Sequence, residues 1–185
     1  MLFNRHSDLE GAHAFLSASK GTWIDYTSEK LEATYESRQA VLRGTELHEI
    51  AAKLITMKVK LPRSQKTLNM YVNDAIGFRM QPEVVLAYSP VAFGTADAIS
   101  FRDNLLRIHD LKTGVHPANM RQLRIYAAFF CLEYRHHPAK LNCELRIYQN
   151  DDIVIEHPDP EEILRIMAVT EEHSAHLERL RSVYE

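Results

Sequence analysis

Two apolar runs joined by the dipeptide Asp103-Asn104 constrain the fold of this chain more than any other feature. The runs read VAFGTADAISF and LLRIHDLK. Each is short, rich in β-branched and aromatic residues and bounded by turn residues, which is the pattern of a strand. If Arg102 to Leu105 form a two-residue hairpin turn, Phe101 faces Leu106, Ile99 faces Ile108 and Asp97 faces Asp110. All three pairs then agree in polarity. Because side chains alternate along a strand, Asp97 and Asp110 end the apolar stripe of Ile99, Phe101, Leu106 and Ile108, and Lys112 follows on the same face.

The remaining segments build around this hairpin. The first third reads as mostly helical to about Phe78, with a break at KLPRSQ where Pro62 interrupts the periodicity. After Gly44, TELHEIAAKLITM repeats apolar residues at helical spacing, and Thr45 is expected to cap that helix. A second short helix is expected over Thr67 to Ile76. EVVLAY is a further strand ahead of the hairpin. PANMRQLRIYAAFFCLEY follows it as a helix packed on a sheet, and LNCELRIY and DIVIE are two more strands. The last segment opens with Asp159, Pro160 and two glutamates, a helix start. The order predicts an α/β domain with a central mixed sheet flanked by helices and without a βαβαβ series. Its 185 residues, 45% hydrophobic and 25% charged, suit one domain. We divide residues 1–185 into a mainly helical leading segment (1–80), an αβ core (81–148) and a strand plus acidic helix (149–185).

Charge and cysteines narrow the partners. The net charge of −3 hides a gradient: Lys53, Lys58, Lys60, Arg63 and Lys66 fall in a stretch without an acidic residue, whereas residues 150–185 hold ten acids against three arginines. Segregation of this kind fits a protein that presents one face to a polyanion, and equally fits solvated loop and helix faces. The five basic residues are the candidate phosphate-backbone contacts. Trp23 and Tyr26 are candidates for stacking on an unpaired base, or for the core. Cys131 and Cys143 are the two cysteines, and neither belongs to a CxxC pair. A secretory leader and a membrane span are both absent from the pattern, so the expectation is a cytoplasmic protein with no membrane partner. No Walker loop, GxSxG elbow or dinucleotide fingerprint occurs.

Opposed carboxylates in a sheet repel unless they share something positive. A divalent cation with oxygen ligands, Mg²⁺ or Mn²⁺, answers that need and keeps positions for a substrate phosphate. Lys112 would then hold the attacking water or stabilise charge on a phosphoryl oxygen. The competing reading is an ordinary strand-end ion pair of Asp110 and Lys112.

These residues resemble a known family. FGTADAISF, LLRIHDLKTG and RQLRIYA, in that order, are similar to the PD-(D/E)XK nuclease superfamily, in its RecB-like branch of phage-type exonucleases. GTELHEIA looks like the first motif of that branch, and FLSASKGTW like the opening of its phage members. The resemblance implies a restriction-endonuclease-like core and a metal held by His48, Asp97, Asp110 and the backbone carbonyl of Leu111. It implies catalytic roles for Asp97, Asp110 and Lys112, with Gln122 and Tyr126 as the Gln-x-x-x-Tyr of the branch. Glu49 is the alternative to His48. Gln122 and Tyr126 share a helical face and would reach water, Lys112 or a phosphate, or else satisfy buried groups.

The activity implied is Mg²⁺- or Mn²⁺-dependent hydrolysis of linear double- or single-stranded DNA, most readily by an exonuclease of phage or bacterial recombination, replication or repair. The cysteines of the branch's iron-sulfur members are absent, so no such cluster is expected. Without a helicase segment, processivity would come from a recombination or replication protein partner or from a homo-oligomer that encircles DNA. The rivals are a site-specific or structure-specific endonuclease and a nucleic-acid-binding module on the same fold that does not cut.

Overall fold

The computed structural model describes residues 14–184, with side chains through Arg181. Contacts divide the chain into two units, one ending at Arg43 and one beginning at Gly44. In the first unit a 3-10 segment, Ala18–Asp25, is kinked at Lys20. Trp23 Nε1 donates to the Ser17 carbonyl at 2.8 Å, and the Phe15 and Tyr35 rings meet edge to face with centroids 5.3 Å apart. Trp23 and Tyr26 are both half-buried there.

Helix α1, Ser28–Met57, is continuous through the division between the units. Its start is set by Thr27, whose hydroxyl accepts from Lys30 N at 3.3 Å. Thr45 is therefore not a cap, and Gly44 does not precede the helix but lies inside it. A glycine is tolerated mid-helix because a Cβ there would sit 2.8 Å from Thr113 Oγ1, so its absence lets α1 approach the end of the third strand. The helix stops at Lys58, which takes a left-handed φ of 57° while Lys58 N and Val59 N bond back to the Ile55 and Leu54 carbonyls.

The second unit continues with α2 (Thr67–Gly77), β1 (Gln81–Ser89), β2 (Ala92–Arg102), β3 (Leu105–Leu111), α3 (Arg121–Tyr134), β4 (Asn142–Gln149), β5 (Asp152–Glu156) and α4 (Pro160–Tyr184). The five strands lie in sequence order in one sheet. β3 and β4 are parallel and the other neighbours antiparallel, so the sheet is mixed and α3 is its single crossover. The hairpin has the expected register at Phe101–Leu106 and Ile99–Ile108, but the expected Asp97–Asp110 pair does not form, because the ladder ends at Ala98–His109. Asp103 and Asn104 both have positive φ, 50° and 57°, as a type I′ turn demands.

Two apolar layers cover the sheet. On one face Leu123, Ala127, Ala128 and Phe130 of α3 and Ile163 of α4 bury Ile99, Leu106, Ile108, Leu145 and Ile147. On the other, Ala51 and Ile55 of α1 and Tyr71, Val72 and Ala75 of α2 cover Ala98, Leu111 and Tyr148. Arg124 ties the edge of the first layer by donating to both Glu156 oxygens at 2.7 Å and to Glu162 at 2.8 Å. Asp159 opens α4 as expected, its Oδ1 accepting from Glu161 N at 3.0 Å. Among the described residues no helix is long and apolar enough to cross a membrane.

Candidate metal centre

At Asp97 the regular pairing of the sheet breaks. The ladders on both sides of β2 include Ala98 and leave Asp97 out: β1 pairs Pro82 with Ala98 and Val84 with Ala96, and the last pair with β3 is Ala98 with His109. Glu83, opposite the gap, has a φ of 52°. A left-handed glutamate costs about 1–2 kcal/mol relative to ordinary strand geometry, and strain of this kind is retained mainly where side chains must be aimed. Alternation also slips here, since Ala96 and Ile99, three apart, both join the α3-side core.

The slip frees three side chains to converge. Ligand atoms of His48, Glu83 and Asp97 all lie within 4.8 Å of one another. His48 Nδ1 stands 3.4 Å from Asp97 Oδ2, and the same oxygen accepts from Leu111 N at 2.9 Å. Leu111 thus fixes Asp97 through its amide. The bond to Asp97 raises the His48 pKa against the opposing pull of burial. Desolvation and then the Asp97 charge push Glu83 upward.

Asp110 sits beside this group but is not part of it. Its carboxylate is 3% exposed, and Lys112 Nζ lies 3.0 Å from both of its oxygens. The ammonium donates to Oδ1, which leaves Oδ2 buried without a hydrogen bond. Burial first, and Asp97 second, raise the Asp110 pKa, with Lys112 pulling the other way. Lys112 also donates to Gln122 Oε1 at 2.9 Å, and Gln122 Nε2 donates to Tyr126 Oη at 3.0 Å. A polar chain therefore runs from Asp110 across to α3.

Backbone approach holds this chain in place. A Cβ at Gly94 would stand 2.9 Å from Tyr126 Cε1, so the ring rests on the bare backbone of β2. Gly94→Ala is expected to cost about 1–3 kcal/mol by overpacking and to displace Tyr126 from Gln122. In a Tyr126→Ala background the same change should be nearly neutral, and thermal melts of the four-member cycle would reveal the coupling. Additive melting shifts would mean that the ring is not what the glycine accommodates.

The loop from β3 to α3 is tied as well. Gln149 Nε2 donates to the Gly114 and His116 carbonyls, its Oε1 accepts from Ala118 N at 2.9 Å, and Asn150 Nδ2 reaches the Val115 carbonyl at 3.2 Å. Behind the site His109 is fully buried. Its Nδ1 is 3.2 Å from Tyr148 Oη, which donates to Asp74 Oδ2 at 2.7 Å. Burial, with Arg146 and Arg107 nearby, brings the His109 pKa down to about 3, so the ring is neutral.

The residues fit a divalent cation on their chemistry. A buried carboxylate oxygen without a hydrogen bond and two further carboxylates offer the hard oxygen donors that Mg²⁺ or Mn²⁺ takes, and the His48 imidazole adds one nitrogen. Of the residues singled out from sequence, His48, Asp97, Asp110, Leu111, Lys112, Gln122 and Tyr126 are linked in this one region. Glu49 is exposed on α1 and outside the close group. Lys53, Lys58, Lys60, Arg63 and Lys66 are all exposed, on the end of α1 and the segment leading to α2. Glu83 and His109 were not anticipated. The one local signal for Glu83 is an acid directly after Pro82 in an otherwise apolar strand.

Compared with known proteins, the chain matches no family model, no curated protein and no solved structure.

Proposed function

We propose that the chain is a metal-dependent phosphodiesterase acting on nucleic acid. Within that class we propose a DNA exonuclease of the PD-(D/E)XK type, with a restriction-endonuclease-like core, serving recombination, replication or repair. One observation carries the reading: an ammonium is held 3.0 Å from a nearly buried aspartate that keeps one oxygen without a hydrogen bond, beside a group of two carboxylates and an imidazole. An ordinary surface ion pair has no need for the second group of acids or for the strained Glu83.

Asp97, Glu83, His48 and Asp110 Oδ2 would hold Mg²⁺ or Mn²⁺, which would supply Lewis-acid polarisation of the scissile phosphate. Lys112, restrained from both sides by Asp110 and Gln122, orients the attacking water and stabilises the negative charge that grows on the phosphoryl oxygens. Tyr126 acts one step removed, by holding Gln122. His109 stays neutral beneath Asp110 and adds no charge to the site.

The test is a time course on end-labelled linear DNA, double- and single-stranded, beside a closed circular plasmid, with Mn²⁺, Mg²⁺ or EDTA. Loss of linear DNA only, stopped by EDTA, is the expected result. Cutting of the circle would replace the exonuclease with an endonuclease, and cleavage undiminished by chelation would remove the metal. Calorimetric metal binding without hydrolysis of any DNA would leave only a binding module.

A further inference from the structure

A groove of about 690 Å³ lies outside the metal-ligand group, between α3, α4 and the start of β2. Its α3 wall carries Arg121 and Ile125, each one residue from Gln122 and Tyr126 of the polar chain. Its β2 wall carries Phe93, one residue from the Gly94 on which the Tyr126 ring rests, and Phe93 is 61% exposed. The groove thus shares α3 and β2 with the Lys112–Gln122–Tyr126 chain, on residues next in sequence to its members.

Its charge is the reverse of the segment that forms its far wall. Residues 150–185 are strongly acidic, yet α4 turns Arg165, Val169, His173 and Leu177, spaced by four, into the groove. Glu162 is the one acid in the lining, and it is taken up by Arg124, which Glu156 also binds. Neither Arg121 nor Arg165 has an ion-pair or side-chain hydrogen-bond partner among the described residues. What remains is a cationic groove whose lining includes an exposed phenylalanine. Unpaired arginines suit phosphates, and a bare ring suits the face of an unpaired base.

We propose that this groove holds a single strand of nucleic acid, with a base stacked on Phe93 and backbone phosphates on Arg121 and Arg165. The assignment rests on the nuclease reading for the identity of the polymer and adds the path by which one strand approaches or leaves Lys112. A single strand offers both its phosphates and its base faces to such a lining, whereas the bases of a duplex are stacked and paired.

The experiment uses the full chain in EDTA, where nothing is cut, and a fluorescein-labelled oligothymidylate whose anisotropy is followed across a KCl series. Arg121→Gln with Arg165→Gln is expected to weaken binding about tenfold and to flatten the log–log salt slope by about 1.4, two phosphates at about 0.7 each for a single strand. Phe93→Ala should weaken binding about tenfold and leave the slope unchanged. Lys140→Gln, an exposed lysine outside the lining, serves as the control for net charge. Circular dichroism of each variant separates lost binding from lost fold.

Groove variants that bind with wild-type affinity and slope would overturn the assignment while leaving the nuclease reading intact. A wild-type chain that prefers duplex to single strand, or that dimerises through Phe93, would overturn it too. Conversely, binding that depends on these three residues in a chain that never cuts would uphold the groove and remove the nuclease.

Discussion

Lys112→Ala is expected to lower the rate of DNA cleavage by about 10³-fold, close to 4 kcal/mol of transition-state stabilisation, with far-UV circular dichroism unchanged. The effect should fall on kcat and leave KM nearly the same, because the ammonium is held by Asp110 and Gln122 and meets the reacting phosphate chiefly as charge develops. Lys112 is 30% exposed and Asp110 is already drawn toward its neutral form, so the stability lost with the ammonium is modest, about 1 kcal/mol. Gln122→Ala tests the arrangement from the other side: the lysine stays and loses one restraint, and a fall of about tenfold is the natural result for a positioning residue. Wild-type turnover in a purified Lys112→Ala protein would end the proposed mechanism.

Asp110→Asn is expected to move activity and stability in opposite directions. The carboxylate is 3% exposed and its pKa is raised, first by burial and then by Asp97, so its ionised form is disfavoured in the fold. An acid with a raised folded pKa stabilises fully below its ordinary value of 3.8 and loses that contribution as pH rises through the folded value. At neutral pH the metal-free wild type carries this penalty. The amide does not, and should melt higher by a few degrees, about 1 kcal/mol. The wild-type minus variant difference should shrink toward acid, where both side chains are uncharged. Saturating Mn²⁺ should stabilise the wild type by about 2.7 kcal/mol at a hundredfold excess over Kd, and the variant by much less. A variant that is less stable than wild type in EDTA at pH 7 would mean that the aspartate serves the fold and not an ion.

Those two residues were accessible to sequence reasoning because hairpin geometry is local. Once Asp103 and Asn104 are taken as a two-residue turn, period-two alternation carries the register down both strands to Asp110 and on to Lys112. Helix periodicity places Gln122 and Tyr126 on one face in the same way. Alternation stops being a guide at Asp97, where the ladder with β1 skips a residue, the ladder with β3 has ended and Glu83 turns left-handed. No pattern of residue types announces that break, which shows only in the pairing of β2 with its neighbours. Gly44 is the companion case. A glycine ahead of an apolar run reads as a helix boundary, and here it is a contact with Thr113 inside a long helix. The Asp74–Tyr148–His109 chain and the cationic groove escaped notice because their members come together only in the tertiary structure. The acidic balance of the last segment hid the groove, because a segment's net charge does not say which face of its helix holds the exceptions.

The ties from Gln149 and Asn150 to the β3–α3 connection bear on how substrate is received. That connection separates Lys112 from Gln122, and its carbonyls and amide are already bonded to a neighbouring hairpin. Those bonds form on folding, so under the proposed function a nucleic acid would meet a connection that is already tied and not a lid that must close. Under the same proposal, desolvation of the reacting phosphate would fall to the polymer itself, and a mononucleotide too short to cover the opening would react in a wet site.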